Sequence, residues 1–333
     1  MDEKMKRIVK IVIYSAVVVL VAASILTAYV FTAFPKVSDP PVLQVHMTKE
    51  AIERGRHLAY HVMMCADCHS QRDFSKFSGP PHPGTEFAGG DVFDHSQGFP
   101  GRFVSANITP YGIGDWTDGE LFRLITEGVT KDGKPIFPVM PYHQFGQLAR
   151  EDVEAVIAYL RTLQPVETNH PESKADFPIN IIMRTMPQRA ALTEKPDSTD
   201  RIAFGRYVFT AAACADCHTN VENGKPVGPV GGGGREFRFP DGSIVRTSNI
   251  TPHATGIAHH SRESFVALFK RYADSNFRLP DVRPGEFQTL MPWVMYAGMT
   301  EKELGAIYDY LQTLPPYENT IQRFTPITDL NAK

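Results

Sequence analysis

Cysteine is scarce: the 333 residues contain four, in two short stretches, so whatever chemistry they perform uses the whole cysteine inventory. A strong charge of either sign is also lacking. The formal charge is −3, and with 42% hydrophobic residues this fits globular domains and excludes a basic surface of the nucleic-acid-binding kind. Low complexity is confined to "GPVGGGGREF" at 228–237, whose glycines lack the strand, spacing and lysine of a phosphate-binding loop; close backbone approach or a simple turn accounts for them. Charge is missing altogether between Lys10 and Lys36.

That uncharged run, "IVIYSAVVVLVAASILTAYVF", is long enough to cross a hydrocarbon core of about 30 Å. It exceeds the apolar stretch of about 7–15 residues in a cleaved signal peptide and has no A-x-A-like site. An uncleaved anchor over 11–34 is expected, with 1–10 cytoplasmic, because Lys4, Lys6, Arg7 and Lys10 precede it. The rest of the chain then lies on the outer face of a bacterial cytoplasmic membrane.

The cysteines sit in "MMCADCHSQ" and "AACADCHTN", so Cys65, Cys68 and His69 recur as Cys214, Cys217 and His218. A C-x-x-C pair suits a redox dithiol, half of a zinc site, or covalent haem attachment. The histidine directly after the second cysteine in both copies selects haem c, with two thioethers holding the vinyl groups and His69 or His218 as an axial iron ligand. Two covalently bound haems are expected.

A methionine opposite the histidine suits reversible one-electron transfer. Met140 follows His69 by 71 residues and Met291 follows His218 by 73, each directly before a proline. Local rivals are His143 for the first site and Met295 or Met299 for the second. A dihaem peroxidase, the main alternative class, needs an open iron position, which two Met-Pro loops in matching contexts argue against. A cysteine axial ligand, as in sulfur-oxidising dihaem enzymes, has no cysteine left to supply it.

The matching extends further. "SANITPYGIGDW" pairs with "TSNITPHATGIAHH", and "AYLRTLQPV" with "DYLQTLPPY", which makes the chain a tandem duplication of units of about 115 residues. Thr300 and Glu303 form a capping box before a helix with Leu304, Ile307, Leu311 and Leu314 on one face; Val153, Val156, Leu160 and Leu163 are its first-copy equivalents. Thr117 with Glu120 opens a middle helix whose counterpart starts at Ser261. Gly55 and Gly205, inside the helix before each motif, mark where the first and last helices of a unit cross.

Two readings stand for Asn107, Thr109, Asn249 and Thr251 in the "NITP" segments: hydrogen bonds to haem propionates, or shaping a turn. The copies also differ in length. Copy one has seven extra residues between His69 and Asn107, and copy two nine extra between Asn249 and Met291. Neutral surface elaboration and partner docking are both open for these insertions.

The two C-x-x-C-H motifs, the "NITP" segments, the "GIGDWTD" run, the "MPY" and "MPW" loops and the "AYLRTL" helix resemble the membrane-bound multihaem cytochromes c, in particular the cytochrome subunits of bacterial alcohol and gluconate dehydrogenases. The resemblance covers roughly residues 47–316, and the linker segment "DFPINIIMR" shares it. This chain has two motifs where those subunits usually have three, and its candidate anchor is at the opposite end from theirs. The resemblance implies a cytochrome c fold per unit, His/Met ligation and electron relay.

The expected architecture is all-α: cytochrome c domains at 46–165 and 200–316, a linker at 166–199 and a tail at 317–333. The expected function is relay of single electrons, without substrate chemistry of its own. The donor would be a dehydrogenase or quinol-oxidising complex, and the acceptor a terminal oxidase or soluble cytochrome.

Overall fold

In the computed structural model, residues 2–222 and 224–327 are described; the end of the expected tail, 328–333, lies outside them. Helix α1, Glu3–Ala33, contains the apolar run and has no buried residue. It begins before the expected anchor, because the lysines and arginine at its start are good helix formers.

Two similar halves follow. The first contains α2 (Lys49–His57), α3 (Cys65–Cys68), α4 (Pro110–Ile113), α5 (Asp118–Glu127), α6 (Tyr142–Phe145) and α7 (Arg150–Arg161). After α8 (Ile179–Ile182), the second contains α9 (Arg201–Ala211), α10 (Cys214–His218), α11 (Arg262–Lys270), α12 (Trp293–Tyr296) and α13 (Glu301–Leu311).

The capping boxes form at Thr117–Glu120 and Thr300–Glu303, and Ser261 caps α11. The inward faces read from the sequence are inward here: Val153, Val156, Leu160, Leu304, Ile307 and Leu311 are buried, and Leu163 and Leu314 pack against them. First and last helices cross at the two glycines. A Cβ on Gly55 would lie 1.8 Å from the Ala155 carbonyl oxygen, and one on Gly205 would lie 1.9 Å from that of Ala306.

The all-α expectation holds only in part. Eight short strands form among the described residues: β1 (Val92–Phe93), β2 (Gly101–Val104), β3 (Lys174–Ala175), β4 (Asn220–Glu222), β5 (Lys225–Val227), β6 (Glu236–Arg238), β7 (Ile244–Arg246) and β8 (Phe324–Thr325). Antiparallel β1-β2-β3 and β6-β7-β8 occupy equivalent places, and β4-β5 is a separate pair. Each strand is two to four residues long, too short for a period-two pattern to show.

The linker is not a free tether. Strand β3 pairs with β2, the Ala191 amide donates to the Gly146 carbonyl at 2.8 Å, and the Ala190 amide donates to Glu127 at 3.1 Å. Its prolines prevent long helices but leave its other amides free to hydrogen-bond to the first half.

The halves share one apolar cluster that runs from Leu58, Val62 and Leu148 to Phe204, Tyr207 and Tyr296. Charge also crosses the boundary. Arg54 donates two hydrogen bonds to buried Asp152, at 2.9 and 2.7 Å, and lies 3.5 Å from Glu303. The Tyr207 hydroxyl donates to Asp152 at 2.8 Å, and His57 Nε2 lies 2.9 Å from Glu303. Pairing with His57 and hydrogen bonds from Thr300 overcome burial and hold Glu303 down at about 2.

Candidate functional site

Each candidate haem motif is reached by the same backbone move. The helix before it ends at a left-handed non-glycine residue, Met64 (φ 55°) or Ala213 (φ 49°), and the short cysteine-bearing helix starts one residue later. Such strain persists where the surroundings over-determine it, as at binding sites.

The histidines are oriented identically. Nδ1 of His69 lies 2.7 Å from the Ala106 carbonyl oxygen and Nδ1 of His218 lies 2.8 Å from that of Ser248. A carbonyl only accepts, so Nδ1 carries the proton and Nε2 keeps its lone pair, the arrangement of a metal-ligating histidine. Burial lowers the pKa of both rings and favours the neutral form.

A further glycine pair holds these loops. The Gly89 amide donates to the His69 carbonyl and the Gly233 amide to that of His218, both at 2.8 Å. Both glycines are left-handed, and a Cβ on either would lie about 2.5 Å from the backbone beside it, at Ser105 or Ser248. Within the Gly-rich patch, Gly233 therefore serves backbone-on-backbone contact.

The rival chemistries lose support. The four cysteines form no disulfide, and no group of three or more His, Cys, Asp or Glu side chains converges as a metal site among the described residues. A zinc tetrahedron drawing two thiolates from each copy is thus not assembled. Burial pushes Cys65 and Cys214 up to about 12, the reverse of a nucleophilic dithiol.

Met140 and Met291 pack against the shared cluster, each opening the same turn: the Tyr142 amide donates to the Met140 carbonyl and the Trp293 amide to that of Met291, both at 2.8 Å. Met299 is 1% exposed and serves as a core residue. His143 Nδ1 lies 3.3 Å from the Gln188 amide of the linker. The donor set present in each half, two thiols, an oriented histidine and a thioether, fits a covalently held haem.

The "NITP" segments resolve as turns. The Asn107 side-chain oxygen accepts from the Thr109 amide at 2.9 Å and hydroxyl at 2.7 Å, and its amide group donates to the Val166 carbonyl at 2.8 Å. Asn249 repeats this with Thr251 and Tyr317. These contacts occupy the side chains that could otherwise have served propionates.

Several residues around the sites carried no signal in the sequence. Each methionine loop reaches the other half: Gln144 donates to Asp216, inside the second motif, at 2.7 Å, and His61 Nδ1 lies 3.0 Å from the Met295 carbonyl oxygen. Ser78, buried and left-handed, donates to the Met291 carbonyl at 2.5 Å and accepts from the Trp293 amide at 3.2 Å. Gln288 accepts from the Ser78 amide at 2.8 Å and donates to Phe74 and Lys76. Buried Tyr296 donates to the Ala212 carbonyl at 2.7 Å. Only the duplicated Asp in "CADCH" hinted at such contacts: Asp67 is buried 3.4 Å from Arg72, while the Asp216 carbonyl accepts from Arg235.

Residues 202–315 match the cytochrome c family. The chain is 30% identical over 194 residues to the fructose dehydrogenase cytochrome subunit of Gluconobacter japonicus, covering 55% of this chain and 37% of that one. It is 28% identical over 236 residues to the alcohol dehydrogenase (quinone) cytochrome c subunit of Gluconacetobacter polyoxogenes, covering 65% and 48%. A diheme cytochrome c-type protein of Cereibacter sphaeroides is 27% identical over 197 residues, covering 55% and 62%. The matched stretch spans less than half the length of the first two relatives. The chain thus carries a cytochrome c domain and is similar to dehydrogenase cytochrome c subunits.

Proposed function

We propose that the chain is a membrane-anchored dihaem c-type cytochrome that relays single electrons, with cytochrome c domains at 46–165 and 200–316. The observation that carries this reading is the twofold recurrence of a neutral histidine with Nδ1 tied to a carbonyl, directly after a Cys-x-x-Cys pair. Cys65, Cys68, His69 and Met140 would hold the first haem, and Cys214, Cys217, His218 and Met291 the second, the histidine and methionine of each set serving the iron. When bound, each haem supplies a reversible one-electron Fe(III)/Fe(II) couple. The protein orients the histidines through Ala106 and Ser248, supplies thioethers that raise the potential, and packs both sites around one apolar cluster.

Helix α1 anchors the chain with 1–10 cytoplasmic and both haem domains on the outer face. The relatives' names support a dehydrogenase as donor, and a terminal oxidase or soluble cytochrome is the acceptor. Peroxidase chemistry is disfavoured because both methionine loops are built alike, so that each half would supply a second iron ligand. Denaturing electrophoresis with haem staining, together with intact mass, should show two haems per chain. A mass fitting one haem, or bound zinc, overturns the assignment.

A further inference from the structure

The linker carries an apolar surface that electron relay does not explain. Phe177 is 79% exposed and Ile182 45% exposed, on a stretch that also contains half-buried Ile179, Ile181 and Met183. It lies against the end of α1. The Arg184 guanidinium donates to the Phe34 carbonyl at 2.8 Å and sits 4.8 Å over the Phe31 ring, and Lys36 forms a bridge with Gln188.

The first half grips the other side of this stretch. Strand β3 pairs Ala175 with Gly101 and Lys174 with Arg102, the Asp176 amide donates to the Pro100 carbonyl at 3.0 Å, and His95 Nε2 lies 2.5 Å from the Asp176 carboxylate. These partners lie on or beside β1 and β2, between Asp91 and Ser105. That segment therefore holds the linker at the helix end.

The depth of the segment follows from α1. Residues 11–33 are helical and uncharged, and at 1.5 Å per residue they span about 35 Å, slightly more than a hydrocarbon core. If α1 crosses the bilayer, Phe31–Phe34 lies at the outer boundary, and residues packed there share that depth. Polar residues flank the apolar stretch, Lys174 and Asp176 before it and Arg184 after it, the pattern of a segment in the interface.

We propose that Phe177–Met183 is a second membrane contact, inserted at the headgroup–acyl boundary of the outer leaflet, which fixes how the first half sits on the bilayer. Its occupant is lipid, because the exposed side chains continue the apolar surface of α1. The inference rests on α1 being a membrane span.

The test places spin labels on full-length protein in phospholipid vesicles, one each at Leu20→Cys, Phe177→Cys and Ile182→Cys, all exposed positions. Collision with oxygen is compared with collision with a water-soluble nickel chelate. The expected result is a shift toward oxygen at all three positions relative to the same label free in buffer. Oxygen preference at 20 with chelate preference at 177 and 182 overturns the contact and leaves the anchor standing. Chelate preference at all three overturns both.

Discussion

The two halves place different charges at the same point beside the candidate haem motif. In the first, the Ser105 amide donates to the Asp91 carbonyl; in the second, the Thr247 amide donates to that of Arg235. The flanking pairs, Gly90 to Ser105 and Gly234 to Thr247, match as well, so Asp91 and Arg235 are equivalent positions. One site thus has a carboxyl group where the other has a guanidinium. A nearby positive charge favours the reduced iron and a negative one the oxidised iron, so the second haem should hold the higher potential.

The chain just after each motif diverges too. After His69 it turns back onto the second half, where Ser78 clasps the Met291 loop. After His218 it forms the exposed β4-β5 pair. The second half's own insertion is equally committed: the Phe77 amide donates to the Pro280 carbonyl at 2.9 Å, the Val282 amide donates to that of Ser75 at 2.8 Å, and Lys76 pairs with Asp281. The two halves share the contacts around the candidate haem motifs and differ in what each attaches to.

The comparison is broken most severely at the proposed axial ligands. Met140→Leu and Met291→Leu should each lower one potential, on the order of 0.2 V within the range of about 0.8 V spanned by axial ligation, and open that iron to carbon monoxide. Spectroelectrochemical titration checks this. The same result from Met295→Leu, with no effect of Met291→Leu, would move the second assignment.

Next in size is the charge cluster between the halves. Arg54→Met removes the cation shared by Asp152 and Glu303, leaving Lys195 beside the first and His57 beside the second, and should cost about 3 kcal/mol, read by chemical denaturation. Glu303 has a depressed pKa, so its contribution is present above the ordinary glutamate range and is lost as pH falls through about 2. A cost below about 1 kcal/mol would mean that the cluster does not hold the halves together.

Ser78→Gly tests the asymmetry of the ligand loops. Glycine tolerates the left-handed backbone at Ser78 (φ 71°), so only the hydroxyl contacts are lost, worth about 1–3 kcal/mol if the Trp293 amide stays buried and unpaired. The methionine-to-iron charge-transfer band of the second haem should weaken while that of the first persists. Equal change in both bands removes the distinction.

The smallest effect is electrostatic. Burial pushes Asp91 up to about 6 despite the opposing influence of Arg72. It is therefore neutral below that pH and negative above it, and the potential of the first haem should fall by some tens of millivolts, on the order of 1 kcal/mol, as pH rises through about 6. Asp91→Asn should abolish the drop, and Arg235→Gln should lower the second potential and narrow the gap. A first-haem potential that does not vary between pH 5 and 7 would show that Asp91 does not couple to the iron.

The likeness of the two halves, the capped helices, the apolar run and the residue types of the candidate haem motifs were legible because each depends on neighbours within a few residues or on a repeated pattern. Hydrogen bonding from Thr117 to Glu120 and the crossing at Gly55 are local or periodic facts that survive in one dimension. What lay outside that reach depends on the approach of distant segments: Ser78 to Met291, Gln144 to Asp216, Asp176 to His95, and Asp91 in the place of Arg235. None of these pairs has a spacing or residue type that marks it in the chain. Hydrogen-bond partners and burial are set by packing, and packing alone turned stretches with no mark in the sequence into the contacts that hold the linker and join the halves.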